Sequence, residues 1–164
     1  MKFVSIMMGS KSDYDIVSEA TRMFDKFGIK YELIITSAHR SPERTQEYIK
    51  QAEEKGVQIF IAAAGMAAHL AGAVAANTTK PVIGVPMDAS ALNGVDALYS
   101  TVQMPSGMPV ATLAIGKAGI INSVYLAMQI LALNDDDLAK KLKDDREAKK
   151  EALKQDSAKV EVML

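Results

Sequence analysis

Cysteine and tryptophan are absent from this chain of 164 residues, and aromatic residues make up only 5% of it. Without cysteine the chain can form no disulfide, thiol nucleophile or thiolate metal site, and a cytoplasmic setting becomes the default expectation. The formal net charge is only -1, and no basic run is flanked by aromatic residues. Nucleic-acid surfaces need clustered cations and usually aromatic platforms, so neither a nucleic-acid partner nor a membrane surface is indicated.

Long apolar runs are also missing. The longest, residues 118 to 133, is interrupted by Asn122, Ser123 and Gln129, and it falls short of a bilayer span. The apolar run after Met1 is too short for a signal peptide, so we predict no targeting segment. A chain of this length can bury about two-thirds of its unfolded surface in one core. We therefore predict one α/β catalytic domain at residues 1–134, with residues 135–164 as a charged helical extension of the same domain.

Short apolar runs alternate with helical patterns along the chain. We predict five strands, at residues 2–8, 29–36, 57–63, 81–85 and 110–115. Ser12 with Asp15, and Ser41 with Pro42, are typical of helix starts, whereas Gly28 is typical of a helix end. The helix at residues 117–133 is apolar nearly all round, which predicts that it is covered on several sides. Residues 155–164 are expected to be loose.

Five strands that alternate with helices predict a three-layer, flavodoxin-like, doubly wound parallel sheet with strand order 2-1-3-4-5. In such sheets ligands bind at the carboxyl ends of the strands, where the strand order reverses. This rule brings four loops together, at residues 9–13, 37–41, 64–69 and 86–93. The four loops are the predicted site.

The first of these loops, Gly9 to Asp13, joins a strand to a helix N-terminus. It offers backbone N–H donors, two hydroxyls and a lysine to an anion, so a phosphate fits there. It matches neither the Walker pattern nor the dinucleotide fingerprint. A glycine turn with an ordinary serine cap explains the loop equally well on local grounds. Asp13 favours a site, because a carboxylate there suits a ribose hydroxyl or a substrate amine.

The chain has only two histidines. His39 lies in a predicted loop, where an imidazole could act as acid and base, although a loop histidine bonded to the backbone is the alternative. Arg40 beside it offers a fork of donors for an anion, if it is not simply solvated. His69 could cap a helix, line the pocket or pack. Two histidines without cysteine or suitably spaced acids do not favour zinc.

Seven short motifs follow one another through the loops and strands. They are Gly9-Ser10-Lys11-Ser12-Asp13, Ser37-Ala38-His39-Arg40, Ala67-Ala68-His69-Leu70, Pro81-Val82-Ile83-Gly84-Val85-Pro86, Ala91-Leu92-Asn93-Gly94, Val102-Gln103-Met104-Pro105 and Ala114-Ile115-Gly116-Lys117-Ala118. In this order they resemble the N5-carboxyaminoimidazole ribonucleotide mutases, the bacterial class I of the phosphoribosylaminoimidazole carboxylase family. The motifs that carry the resemblance extend over roughly residues 4 to 133.

The resemblance implies an isomerase of de novo purine biosynthesis that uses neither metal nor organic cofactor. Such an enzyme moves a carboxylate from the exocyclic amine of a small ribonucleotide to a ring carbon, through loss and recapture of carbon dioxide. His39 would be the proton shuttle between the two half-reactions. A homo-octamer is also implied, in which neighbouring subunits would cover the helix at residues 117–133.

The resemblance further assigns substrate-binding roles to nine residues. Ser10, Asp13 and Arg40 would bind the ribonucleotide. Ser12 and Ser37 would be further contacts to its phosphate end. The aminoimidazole and carbon dioxide side would be lined by Ala64, Gly65, His69 and Leu70. The family usually has glycine where Met66 stands and proline where Ala71 stands. If position 66 requires a positive φ, methionine is costly there.

Two rival functions remain. An animal-type carboxylase of the same fold would add carbon dioxide directly to the aminoimidazole ribonucleotide. Arg40 and the Ala67-Ala68-His69-Leu70 motif point away from that class. A non-catalytic, receiver-like nucleotide-binding module is the second rival. It would need an acidic cluster after the first strand and an aspartate after the third, and the sequence has neither.

Overall fold

The structure, a computed structural model, describes residues 2–163. The strands are β1 (Phe3–Met8), β2 (Tyr31–Ile35), β3 (Val57–Gly65), β4 (Val82–Met87) and β5 (Ala111–Thr112). The helices are α1 (Tyr14–Phe27), α2 (Pro42–Lys55), α3 (Leu70–Ala75), α4 (Val95–Val102), α5 (Gly116–Ala132) and α6 (Asp136–Val160), with a 3₁₀ turn at Lys11–Asp13. Residues up to Ala127 form one compact unit, and those from Met128 onward form another.

The sheet is parallel throughout and has the order β2-β1-β3-β4-β5, which confirms the predicted topology. Met8, the last residue of β1, pairs with Ile35 of β2 on one side and with Ala63 of β3 on the other. The strands therefore end at nearly the same level. The chain leaves all three at one edge of the sheet, at the point where the strand order reverses.

Alternate residues of the strands face two helical layers. On one face, Met7 and Phe60 belong to a buried cluster with Ile49 of α2 and Val74 of α3. Gly84 lies on this face too, because a Cβ there would come within 2.4 Å of Thr101 in α4. The opposite face is covered by α1 and the first part of α5, where Phe27 packs edge-on against Tyr125. The fold therefore has the three layers that the sequence predicts.

The start of α1 differs from the prediction. Ser10 caps the 3₁₀ turn at Lys11–Asp13, because its side chain accepts a hydrogen bond from the Ser12 N–H. The α-helix follows this turn with Asp13 as its N-cap and Tyr14 as its first residue, one residue later than a cap at Ser12 predicts. Ser41 and Pro42 occupy the predicted positions at the start of α2, although the Ser41 side chain makes no capping bond.

Several strand boundaries also differ from prediction, and β3 continues two residues beyond its predicted end, to Gly65. The strand β2 begins at Tyr31 because the Ile29 N–H is already bonded to the Phe24 carbonyl in the turn that ends α1. The strand β4 continues through Pro86, which is tolerated because β5 has ended before that level. The edge strand β5 has only two residues, since it pairs on one side alone and follows Pro109.

The charged segment forms a longer helix than expected. The helix α6 continues to Val160, so the prediction that the chain is loose from residue 155 is wrong up to that residue. Asp135 caps its start by accepting a bond from the Leu138 N–H. Five lysines pair with acids three or four residues away, and such pairs contribute about 0.2–0.5 kcal/mol each. Leu164 lies outside the described residues.

The helix α5 presents exposed polar residues at Lys117, Asn122 and Gln129. The large apolar side chains that are exposed among residues 2–163 include four around α4 and none in α5. Over the same residues, no helix combines the length and the apolar character that crossing a bilayer requires.

Candidate active site

A cavity of about 510 Å³ opens at the carboxyl edge of the sheet. Its walls come from the loops after β1, β2, β3 and β4, the four loops that the topology rule selects. The backbone brings the first three together, since the Gly9 N–H donates to Ala63 O and the Thr36 N–H donates to Met8 O. The cavity therefore lies at the reversal of strand order.

The loop after β1 presents two hydroxyls and a carboxyl group. Ser12 Oγ lies 2.9 Å from Ser10 Oγ and 3.4 Å from Asp13 Oδ1, and its one hydrogen can be donated to either atom. Ser10 and Ser12 line the cavity where the helix dipole of α1 begins. Hydroxyls at a helix N-terminus can receive an anionic group of a ligand. Lys11, the cation of this loop, is exposed and is not among the cavity-lining residues.

Asp13 is the buried charge of the site, with only 5% of its surface exposed. Burial raises the pKa of its carboxyl group above the ordinary value, and the hydrogen bond from Ser12 opposes this effect. The negative charge of Asp88, in the loop after β4, raises the pKa further. Asp13 is thus held where a ligand that donates a hydrogen bond or carries positive charge would relieve the cost of its ionisation.

The two histidines of the chain meet in this cavity. His39 Nε2 lies 2.8 Å from His69 Nδ1, and the rings are edge to face with centroids 4.9 Å apart. His39 comes from the turn after β2, whereas His69 precedes the first residue of α3. One ring must donate and the other accept, so the two nitrogens share a single hydrogen at this contact. The pair is a proton-holding group at the surface of the cavity.

Arg40 joins the second loop to the first. Its Nη2 donates to the Gly9 carbonyl at 2.9 Å, and its backbone N–H donates to Ser37 Oγ at 3.2 Å. The bond to Gly9 uses one of the five guanidinium donors. It fixes the planar group against the cavity wall, where it can meet a phosphate or carboxylate.

The end of β3, the loop after it and the start of α3 supply the least polar wall. Ala64, Gly65 and Leu70 line it, and Met66 lies at its opening with 64% of its surface exposed. Met66 has a φ of 55°, in the left-handed region. The sequence predicts that methionine is energetically costly at position 66 if the backbone there has a positive φ. The structure has that positive φ, so the cost applies.

All ten residues assigned from the sequence line this cavity. They are His39 and the nine binding candidates Ser10, Ser12, Asp13, Ser37, Arg40, Ala64, Gly65, His69 and Leu70. Sequence reasoning named no residue from the loop after β4, which contributes Ala89 to the wall and Asp88 as an electrostatic neighbour of Asp13. The topology rule had selected that loop, but no motif within it distinguishes these two residues.

Within residues 2–163, no three His, Cys, Asp or Glu side chains come together in a way that could hold a metal ion. The chemical groups that the cavity does contain are two imidazoles, a carboxyl group, serine hydroxyls and a guanidinium. These groups can move protons and bind a polar, anionic small molecule.

Comparison with known proteins identifies the family. The family model described as AIR carboxylase matches residues 3–152. The chain belongs to the AIR carboxylase family. The N5-carboxyaminoimidazole ribonucleotide mutase of Bacillus subtilis is 50% identical over 154 residues, which cover 94% of this chain and 95% of that protein. The enzyme of the same name from Pyrococcus horikoshii is 52% identical over 140 residues, covering 85% and 78%.

A solved structure agrees with the fold. The crystal structure of Treponema denticola PurE matches with a TM-score of 0.88 and 28% identity, covering 99% of this chain and 100% of that one. The five-stranded sheet and the extra C-terminal helix therefore belong to the family architecture.

Proposed function

We propose that this member of the AIR carboxylase family is an N5-carboxyaminoimidazole ribonucleotide mutase, an isomerase of purine biosynthesis. The observation that carries this assignment is 50% identity to a mutase along 94% of the chain. The cavity supports it, because it combines a proton-holding pair with groups suited to a ribonucleotide. The substrate is N5-carboxyaminoimidazole ribonucleotide, and the product carries the carboxylate on a ring carbon.

We assign the proton transfers to His39. In the first half-reaction, the bond between the exocyclic nitrogen and the carboxylate carbon breaks and carbon dioxide leaves. The electron pair of that bond stays on nitrogen, which takes a proton from the protonated His39 imidazole. This step generates aminoimidazole ribonucleotide and a neutral His39 beside it.

In the second half-reaction, the electron-rich ring carbon attacks carbon dioxide and a carbon–carbon bond forms. Neutral His39 then removes the hydrogen from that ring carbon, which restores the aromatic ring and the protonated imidazole. The proton donated to nitrogen stays on the amine, and the proton taken from the ring carbon replaces it on His39, so the cycle balances without a further reagent. His69, whose Nδ1 lies 2.8 Å from His39 Nε2, is placed to hold the His39 ring in one orientation.

The remaining cavity residues divide by chemistry. Arg40, with Ser10, Ser12 and Ser37, suits the phosphate, because a guanidinium and hydroxyls donate hydrogen bonds to anionic oxygens. Asp13 suits a ribose hydroxyl, which would donate to its carboxylate. The small and apolar wall of Ala64, Gly65 and Leu70 suits the aminoimidazole ring and carbon dioxide. Holding carbon dioxide against that wall would keep the second half-reaction intramolecular.

We further propose that the active enzyme is a homo-octamer in the cytoplasm. The octamer is supported by the family resemblance and by an exposed apolar stripe of Val95, Tyr99 and Val102 on α4, with the exposed Leu92 just before the helix. A cytoplasmic site is supported by the chemistry of the substrate, since a phosphorylated nucleotide does not cross a membrane unaided.

The test of the function is a comparison of two substrates. Purified protein is given either N5-carboxyaminoimidazole ribonucleotide, or aminoimidazole ribonucleotide with bicarbonate, and the C-carboxylated product is followed by absorbance. A mutase converts the first substrate at concentrations of dissolved carbon dioxide far lower than those it needs to carboxylate the second. Faster use of the second mixture would reassign the chain to the direct carboxylases. If neither mixture gave product, the non-catalytic nucleotide-binding module would be the remaining interpretation.

A further inference from the structure

Two threonines outside the cavity join the ends of the His39 loop. Thr36 follows β2 directly, and Thr45 lies in the first turn of α2. Both are almost fully buried, with 3% and 2% of their surfaces exposed, and their Oγ1 atoms are 2.8 Å apart. Between them the chain runs through residues 37–41, which carry His39 and Arg40.

The hydrogen-bond order of this pair follows from counting hydrogens. Thr45 Oγ1 donates to the Ser41 carbonyl at 3.1 Å, and a hydroxyl has only one hydrogen to donate. Thr36 Oγ1 must therefore donate to Thr45 Oγ1. A chain of two hydrogen bonds runs from the entrance of the loop at Thr36 to its exit at Ser41.

The loop has other internal bonds, but these connect only nearby residues. The Ser41 N–H donates to the Ser37 carbonyl at 2.9 Å, and the Arg40 N–H donates to Ser37 Oγ. They shape the turn, and the Thr45 N–H of α2 donates to the Ser41 carbonyl at 3.2 Å. The Thr36 to Thr45 contact adds a side-chain link between the start of the loop and α2, on the buried side, away from the solvent that could replace it.

We propose that the Thr36–Thr45 hydroxyl pair positions the His39 loop, so that His39 meets His69 and Arg40 reaches Gly9. The threonines are positioning residues, because they act through His39 and touch no substrate. The effect on turnover rests on the proposed function, whereas the effect on the distance between the imidazoles does not.

Replacing both threonines by valine distinguishes a role in positioning His39 from a role in stability alone. Replacing both threonines by valine removes two buried hydroxyls of the same shape, and such a double replacement can be nearly neutral for stability. The double replacement does, however, remove the directional hydrogen bond between the two side chains, which is the contact proposed to position the loop. Thr45→Val alone should be the least stable variant, because it leaves the Thr36 hydroxyl as a buried donor without an acceptor.

The experiment measures melting temperature, kcat and KM for Thr36→Val, Thr45→Val and the double variant, with Thr36→Ser and Thr45→Ser as controls that keep the hydroxyls. Small misplacements of catalytic groups cost up to about a hundredfold in rate. We expect the double variant to melt near the wild type but lose about tenfold in kcat, with KM changed less than about twofold. The serine variants should keep kcat.

Crystal structures of the same variants give a readout that does not depend on activity. In the double valine variant, the distance from His39 Nε2 to His69 Nδ1 should lengthen beyond hydrogen-bonding range, or the His39 ring should take more than one orientation. Wild-type kcat together with an unchanged imidazole contact in the double variant would overturn the proposal. If the double variant does not fold, the same two results in Thr36→Val would overturn it. An inactive wild type whose imidazole contact still depends on the threonines would refute the mutase assignment alone.

Discussion

Asp13 carries a carboxyl group that burial holds toward its protonated form. Because its pKa is raised in the folded protein, the folded state binds this proton more tightly than the unfolded state. At pH values below the ordinary pKa of 3.8, both states are protonated and the residue has no net effect. As the pH rises past that value, ionisation of the unfolded state begins to favour unfolding. The site therefore includes a group that lowers stability at neutral pH.

Asp13→Asn should consequently melt at a higher temperature than the wild type at neutral pH, and the difference should vanish as the pH falls below 3.8. Loss of a charged hydrogen-bond acceptor should also raise KM by about tenfold or more. Thermal melts across pH and steady-state kinetics provide the measurements. Asp15→Asn, an exposed acid in the first turn of α1, is the control and should show neither effect. An Asp13→Asn gain that is independent of pH would contradict this account.

Met66 has a left-handed backbone, which costs roughly 1 kcal/mol or more for a residue with a side chain. Met66→Gly removes that cost but increases the conformational entropy of the unfolded chain, which lowers the free energy of unfolding by about 0.5–1 kcal/mol. Its free energy of unfolding should therefore stay close to that of the wild type. Met66→Val should lose about 1 kcal/mol or more, because a branched side chain fits this conformation worst. Denaturant titration measures both, and equal stability of the valine and methionine proteins would refute the strain.

At this scale the sequence predicted which residues gather at the carboxyl edge of the sheet better than it predicted the contacts between them. All ten candidates reach one cavity because the topology rule depends only on strand order. The contact of His39 with His69 was not predictable, since the residues are thirty positions apart and lie on different loops. The cap at Ser10 was also missed, because a 3₁₀ turn ahead of α1 shifts the hydrogen bonds and leaves no mark in the pattern.

At the scale of elements, Tyr48 fastens α2 to the sheet. Its hydroxyl lies 2.8 Å from Ser5 Oγ in β1 and donates to Glu32 Oε2 in β2 at 3.2 Å. Lys55, near the end of α2, pairs with the same carboxylate at 3.0 Å. Burial raises the pKa of Tyr48 to about 12. The helix that begins directly after the His39 loop is thus anchored along its length.

Tyr48→Phe should lower the free energy of unfolding by about 1–3 kcal/mol, because it leaves the buried Ser5 hydroxyl without its partner. The wild type should lose part of its advantage as the pH rises from 10 to about 12, since Tyr48 ionises first in the unfolded state. Denaturant titrations at neutral and alkaline pH measure the difference. Tyr14→Phe, at a half-exposed position, is the control. A variant as stable as the wild type would mean that the anchor contributes nothing.

Element types and order were predictable, but their ends were not. Gly28 and Gly56 mark the ends of α1 and α2, because each adopts the left-handed conformation that glycine allows. The strands β4 and β5 depart from prediction because their lengths depend on pairing with a neighbour, which no local pattern encodes. The length of α6 was underestimated because its stability comes from lysine–acid pairs, not from an apolar stripe.

At the scale of the whole molecule, the exposed apolar residues are concentrated. Val95, Tyr99 and Val102 follow one another at spacings of four and three, so they share one face of α4, and the exposed Leu92 lies in the turn just before the helix. The sequence had drawn attention to α5 as the helix in need of cover. The structure instead leaves the α4 stripe exposed. Whether residues 135–164 belong to the same domain as residues 1–134 stays a prediction.

If the α4 stripe contributes to the proposed octamer, Tyr99→Glu should weaken assembly, because a charge without a partner is costly in an apolar contact. Tyr99 is 70% exposed in the single chain, so the substitution should leave the fold intact. Sedimentation velocity should find the wild type near eight times the 17.7 kDa chain mass. Tyr99→Glu should shift toward smaller species, whereas Tyr99→Phe should assemble normally. A Tyr99→Glu protein of unchanged mass would remove this stripe from the interface.

The central claim is that one histidine serves both half-reactions, first donating a proton to the exocyclic nitrogen and then accepting one from the ring carbon. Asparagine at position 39 keeps a polar side chain of similar shape but cannot gain and release a proton near neutral pH. The decisive measurement is the turnover of N5-carboxyaminoimidazole ribonucleotide by His39→Asn, alongside calorimetric binding of the same ligand. We predict that binding stays within about threefold of the wild type while turnover falls by about a hundredfold or more. Turnover close to that of the wild type would contradict the account.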